Sequence, residues 1–261
     1  MSASDDTDRD RRVDSIQAGQ YAFPYHYIPS HDRFPMFSRT WGFAASYIAA
    51  VQIAVDWLAG FDEPQSGETR RHMDYGCGDG GFVYALTKEA RLGHIAFHGI
   101  DIDERAIRWA NIFADGKVAF TCGDLQDLGP ETFDSGTLIE VIEHVPPSEV
   151  PEFVAGIARS LKPGAPLFVT VPSTEKPLED KHYRHFDFES LTRCFDAEFR
   201  MTGIFGFEKR SFVPRKLQKF LMKKNYFIET TATSRFLVRK MGERHTEVKG
   251  CGRIGMFLQR K

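Results

Sequence analysis

The chain has 261 residues, 42% of them hydrophobic and 27% charged, with a formal net charge of -2 at pH 7. That balance suits a globular protein of one full-sized α/β domain with additions, or at most two small domains. It gives no global electrostatic case for nucleic acid or a membrane surface. The four cysteines (Cys77, Cys122, Cys194, Cys251) form no CxxC pair, which argues against a zinc ribbon or a disulfide framework. The N-terminus has no apolar run of the signal-peptide kind. No stretch reaches the roughly 20 apolar residues of a membrane span, because residues 41–58 are interrupted by Ser46, Gln52 and Asp56. The expectation is a cytoplasmic protein.

Residues 1–20, rich in Asp, Arg and Ser, read as a disordered arm. Residues 21–68 read as a lid segment. They begin with an aromatic cluster (Tyr21, Phe23, Tyr25, Tyr27) broken by Pro24 and Pro29, and a helix follows over 40–59. In that helix Phe43, Tyr47, Ile48, Val51, Val55 and Leu58 share one face, and Gly60 suits its stop. From residue 69 strand and helix signals alternate. Strands are expected at 72–75, 96–101, 117–122, 132–140 and 166–171, and helices at 82–90, 104–113 and 149–160. This alternation predicts an α/β fold of parallel strands joined by right-handed crossovers, with helices on both faces. A helix near 188–195, a strand near 199–207, a basic insert over about 208–250 and a last strand near 253–259 complete the 69–261 domain. Within the insert, Arg215, Lys216, Lys219, Lys223 and Lys224 alternate with Phe212, Leu217, Phe220 and Leu221. That segment reads either as a solvated amphipathic helix or as a dock for a phosphorylated or nucleotide-linked acceptor.

Three acidic and glycine-rich turns mark one edge of the sheet. Asp74-Tyr75-Gly76-Cys77-Gly78-Asp79-Gly80-Gly81 ends the first strand, where glycines let the backbone approach a ligand closely and turn into a helix. It lacks the Gly-Lys-Ser/Thr of a phosphate loop. Gly99-Ile100-Asp101-Ile102 ends the second strand, where a carboxylate can take both hydroxyls of a ribose and Ile102 offers an apolar face to a base. Gly123-Asp124-Leu125 ends the third, with Asp124 placed to accept from an exocyclic amine. Open α/β sheets bind ligands at this edge.

In that order, these segments resemble the class I S-adenosylmethionine methyltransferases. So do Phe133-Asp134, the run from Ile139 through Glu140-Val141-Ile142-Glu143-His144 to Val145, and Leu161-Lys162-Pro163-Gly164. The likeness spans about residues 70–200. It implies a Rossmann-like, seven-stranded, mostly parallel sheet with an antiparallel final strand. S-adenosylmethionine is the implied cofactor, its methionine part resting on the loop of Asp74, Gly76 and Gly78. By the same resemblance Asp101 binds the ribose, Ile102 and Leu125 flank the adenine, Asp124 takes its amino group, and Glu140 lies beside the sulfonium.

Methyl transfer to a hydroxyl needs a base or a metal to remove the proton. Two clusters can supply it: Glu140, Glu143 and His144 on the turn leaving the fourth strand, and Lys181-His182-Tyr183-Arg184-His185 in the loop after the fifth. The expected bases among them are His144 and His185, since imidazole titrates near neutrality. The leading expectation is metal-free O-methylation of a small metabolite or sugar-type acceptor. Glu140-Val-Ile-Glu143-His144-Val looks like the segment in ubiquinone-type O-methyltransferases. The runner-up is a metal-dependent RNA 2′-O-methyltransferase, because Glu140, Glu143, His144 and His185 match metal-ligand positions in small-RNA methyltransferases. Here, however, Phe186-Asp187-Phe188-Glu189 follows His185 where that family has His-x-Phe-Glu. An N-methyltransferase and a non-catalytic cofactor-binding protein are the remaining alternatives. Composition leaves the oligomeric state open.

Overall fold

The computed structural model describes residues 11–13, 15, 16, 19, 21, 30, 31, 34, 35, 44–61, 68–114, 116, 118–210, 216, 217, 220, 222, 223, 226, 227 and 230–261. The expectations for Phe23, Tyr25, Tyr27, Phe43, Phe212, Arg215, Lys219, Leu221 and Lys224 lie outside these residues.

A seven-stranded sheet forms the centre. In chain order its strands are β1 (Arg70–Tyr75), β2 (Ile95–Asp101), β3 (Ala119–Cys122), β4 (Ser135–Ile139), β5 (Pro166–Pro172), β6 (Phe199–Lys209) and β7 (Cys251–Arg260). Their order across the sheet is 3-2-1-4-5-7-6. Strands β1 to β5 pair in parallel, while β7 runs antiparallel to both β5 and β6. The order reverses between β1 and β4, so the C-terminal strand ends there leave a crevice open to ligands.

The central strands are buried on both faces, as parallel strands under helices must be. β5 alternates between two cores. Leu167, Val169 and Val171 pack with α4 (Val150–Ser160) and α5 (Phe188–Phe195), whereas Phe168 packs on the other face. That second face carries α1 (Ala44–Leu58) and α2 (Gly81–Thr87). In α3 (Glu104–Ala114) the buried Ala106, Ile107, Ala110 and Ala114 follow a helical repeat. α5 starts where Asp187 and Ser190 cap each other reciprocally.

Several boundaries differ from expectation for physical reasons. β4 begins at Ser135, because Phe133 pairs as an isolated bridge with Leu161 and Asp134 accepts from the Arg71 N–H. The insert contains α6 (Thr231–Gly242), which periodicity did not reveal; Thr230 caps it, and Leu237, Val238 and Met241 pack on Ala49 of α1. The expected disordered arm is helical at residues 11–13. Val13 is buried there, and Arg12 pairs with Asp180 at 3.3 Å. α1 belongs to the body of the domain: Ala50, Ile53, Ala54 and Leu58 are buried, and the Trp57 ring lies 5.7 Å from Phe168 and 5.9 Å from Phe257. Among the described residues no helix is long and apolar enough to cross a membrane.

Candidate active site

β1 delivers the chain to the glycine turn, and the Gly76 and Cys77 N–H groups both donate to the Ile100 carbonyl, at 2.8 and 3.0 Å. Gly76 has φ of +69° and Gly78 of +54°, which favour glycine. A Cβ on Gly76 would come 2.6 Å from Val141, and one on Gly78 would come 2.6 Å from the Tyr21 hydroxyl. The turn is therefore packed from above by Tyr21, whose carbonyl accepts from Trp109 Nε1 of α3 at 3.2 Å.

Asp101, at the end of β2, holds this turn. Its Oδ2 accepts from the Gly78 N–H at 2.8 Å and its Oδ1 from the Asp103 N–H at 2.9 Å. Each carboxylate oxygen can accept more than one hydrogen bond, so both remain competent for a ligand diol. Beside it Ile102 is 81% exposed, an aliphatic surface left to water unless a ligand covers it. Asp124 caps the 3₁₀ turn Leu125–Asp127 by accepting from the Gln126 N–H at 3.1 Å. An apolar shelf between two carboxylates is the chemistry an adenosine group requires, so the residues present suit the expected cofactor.

Asp74 sits elsewhere than expected. It is buried beneath the glycine turn and does not line the cleft. Thr137 Oγ1 donates to its Oδ1 at 2.7 Å, and Thr137 in turn contacts His72 Nε2 at 3.1 Å. His72 Nδ1 meets Ser135 Oγ at 2.8 Å. Because Thr137 spends its proton on Asp74, His72 Nε2 donates to Thr137 and Nδ1 accepts from Ser135. Burial pushes the Asp74 carboxyl up to about 7 and His72 down to about 3.

One cleft of about 870 Å³ joins Gly76, Asp101, Ile102, Asp124 and Leu125 to Glu140, Glu143, His144, Lys176, His182 and Arg253. At its second end the chain leaves β4 through Glu140, whose φ is +56°. Thr170 Oγ1 donates to Glu140 Oε1 at 3.0 Å, and Arg253 Nε of β7 donates to Oε2, also at 3.0 Å. Arg253 is buried and also pairs with Glu208.

The next turn, Ile142–His144, brings two candidate side chains, Glu143 and His144, to the cleft. Glu143 is buried, and neither carboxyl oxygen has a hydrogen-bond partner among the described residues. Burial first, then the nearby Glu140 carboxylate, push its carboxyl well above the usual range. His144 Nδ1 lies 3.0 Å from the Lys181 carbonyl. A carbonyl only accepts, so Nδ1 carries the proton and Nε2 presents a lone pair. Burial, aided by the Lys181 charge, lowers His144 to about 4 and keeps it neutral.

His185 is not in the cleft. Its Nδ1 donates to the Lys176 carbonyl at 3.2 Å, and its Nε2 accepts from His182 Nδ1 at 2.8 Å. Both ring nitrogens are engaged, which leaves His185 a support for His182 rather than a base. That relay leaves His182 Nε2 as the acceptor atom. His182 belongs to the Lys181–His185 cluster of candidate bases, in which the sequence reading preferred His185; the structure puts His182 in the cleft instead.

Ligand atoms of Glu143, His144 and His182 lie within 4.8 Å of one another, a set able to hold a metal ion. It differs from the expected four. Glu140 is committed to Arg253 and Thr170, and His185 stands behind His182.

A family model described as a methyltransferase domain matches residues 73–164. The Ubiquinone biosynthesis O-methyltransferase of Dechloromonas aromatica (strain RCB) is 30% identical over 125 residues, which is 45% of this chain and 50% of that protein. The chain thus matches about half the length of this curated relative. A SAM dependent methyltransferase from Archaeoglobus fulgidus superposes with a TM-score of 0.55 at 19% identity, over 82% of this chain and 94% of the other. The cyclase SpnF gives 0.57 at 17%, over 95% and 92%. At such identities the structural likeness shows the fold alone.

Proposed function

We propose that this chain, whose residues 73–164 match a methyltransferase domain, binds S-adenosylmethionine and methylates a hydroxyl oxygen of a small metabolite. The observation that carries this reading is the single cleft. It has the ribose and adenine chemistry of Asp101, Ile102 and Asp124 at one end and two neutral imidazoles at the other. When bound, S-adenosylmethionine supplies a methyl group on a sulfonium whose leaving group is a neutral thioether. This chain's residues have to align the acceptor, exclude water and take one proton. His144 Nε2 is the proposed proton acceptor, since its Nδ1–H is fixed on the Lys181 carbonyl. His182, supported by His185, orients the hydroxyl.

A second reading is favoured by one observation. A buried carboxyl with no hydrogen-bond partner among the described residues, Glu143, lies within 4.8 Å of ligand nitrogens of His144 and His182, and a divalent cation would satisfy all three. In that case the metal would lower the acceptor hydroxyl's pKa, and His144 would be a ligand rather than a base. RNA as its substrate gains no support from the net charge of -2.

One assay separates the two. Transfer of a labelled methyl group from S-adenosylmethionine to a panel of hydroxyl compounds is measured before and after exhaustive chelation, and with His144→Gln. The metal-free reading expects activity to survive chelation, and expects His144→Gln to lower kcat by about 10²–10⁴-fold without changing cofactor affinity. Activity lost on chelation and restored by magnesium, manganese or cobalt would replace it with the metal reading. Transfer to amines but to no hydroxyl would refute both.

A further inference from the structure

The wall of the cleft opposite the cofactor edge carries a lysine that the mechanism does not use. Lys176 lies in the loop after β5, and its backbone is clamped. Its N–H donates to the Ser173 carbonyl at 3.0 Å, and its own carbonyl accepts from His185 Nδ1 at 3.2 Å. The preceding Glu175 carbonyl accepts from Arg210 at 2.6 Å, and the Ser173 N–H donates to Gly252 of β7 at 3.0 Å. The side chain lines the cleft, yet among the described residues its ammonium makes no hydrogen bond or ion pair.

The carboxylates near it account for this. Glu140 gives one oxygen to Thr170 and the other to Arg253, and Glu208 also pairs with Arg253. Glu179, on the same loop and also lining the cleft, forms no ion pair with Lys176. A lysine kept for structure would close on that neighbour. Arg253 takes up both Glu140 and Glu208, so among the described residues the Lys176 ammonium lines the cleft without a carboxylate partner. Lys181 adds a second basic side chain to the same wall. Burial, with Arg253 nearby, holds the Lys176 ammonium below its ordinary range, as expected for a charge drawn out of water without a partner.

We propose that Lys176 anchors an anion subsite in the acceptor half of the cleft, and that the methyl acceptor is a hydroxyl compound bearing a carboxylate or a phosphate. This substrate class rests on the reading of the cleft as a methyl-transfer site; the anion subsite itself does not require turnover. A lysine recognises such a group as a compact point charge, and an anion seated there would give the Lys176 ammonium the partner it lacks among the described residues.

The test is binding to the full chain saturated with S-adenosylhomocysteine, by calorimetry. The probes are 3,4-dihydroxybenzoate and its neutral amide, then phenyl phosphate and phenol. The anionic member of at least one pair should bind about tenfold tighter or more, the range of a charge-assisted contact. The pair that shows the preference identifies the group as carboxylate or phosphate. Lys176→Met and Lys176→Gln should abolish the preference, Lys176→Arg should keep part of it, and S-adenosylhomocysteine affinity should be unchanged in all three. No preference in the wild-type chain, or a preference that survives Lys176→Met and Lys176→Gln, would overturn the subsite. Failure of methyl transfer to every hydroxyl, with the anion preference intact, would overturn the proposed reaction and the acceptor class, and leave an anion site.

Discussion

Glu140 and Asp74 differ in how far a sequence can place a side chain. Both are acidic residues at strand ends, and both were expected to meet the cofactor. Glu140 does line the cleft, but in a left-handed backbone conformation that costs a residue with a side chain about 1–2 kcal/mol. Arg253, 113 residues away, and Thr170 hold it there. Nothing in the local pattern announces that pairing, because it arises only when β7 enters beside β5. Asp74 points the other way, into a buried chain of hydrogen bonds with Thr137, His72 and Ser135. Burial keeps the Asp74 carboxyl neutral below about pH 7, while Asp101 holds the glycine turn through the Gly78 N–H.

The same chain of hydrogen bonds makes a pH prediction. Folding raises Asp74 from 3.8 to about 7, so the folded state keeps a proton that the unfolded chain has released, and stability falls as pH rises through that window. Folding lowers His72 from 6.5 to about 3, so there the unfolded chain binds the extra proton and stability rises with pH up to 6.5. Between 3.8 and 6.5 the two slopes oppose each other. Asp74→Asn should therefore uncover the His72 slope. Relative to wild type, its stability should increase from pH 5 to pH 6.5 by up to about 1.4 kcal/mol per pH unit. Urea unfolding at those two pH values checks this, and parallel pH profiles for the two proteins would contradict it.

At the scale of elements, the alternation of apolar runs and glycine turns was enough to read the five parallel strands, the helices between them, and β6 and β7. Parallel strands declare themselves because both faces are buried, and their cofactor turns because glycines and acids fall at the strand ends. α6 was hidden among basic residues, its buried face being only Leu237, Val238 and Met241. The proposed acceptor loop, residues 173–187, has no periodicity at all, which is why Lys176 went unread and His185 was preferred to His182. α1 was legible as a helix but not as part of the core, because a helical stripe does not say which surface it will meet. Its burial predicts the outcome of truncation. A chain starting at Thr69 would expose the second core, including Phe82, Leu86, Phe168 and Phe207. It should fail to give a cooperative thermal transition, since each large apolar side chain left open forfeits about 1.5–3 kcal/mol. A truncated chain that melts at the full-length temperature would show that α1 is dispensable.

For the whole molecule, the strand order places every candidate group at one edge. The C-terminal ends of β1, β2 and β3 carry the glycine turn, Asp101 and Asp124. Those of β4 and β5 carry Glu140, the Ile142–His144 turn and the acceptor loop. The antiparallel β7 adds Arg253 between them. One cleft therefore joins the half proposed for the cofactor to the half proposed for the acceptor, and the account depends on the cofactor occupying the half assigned to it. The most direct measurement is calorimetric titration of the full chain with S-adenosylmethionine and S-adenosylhomocysteine, repeated with Asp101→Ala. The account predicts one site per chain, weakened by about 1–3 kcal/mol in the variant, with lysine, histidine and acceptor-loop variants binding as wild type. No heat at millimolar cofactor, or equal affinity in Asp101→Ala, would contradict it.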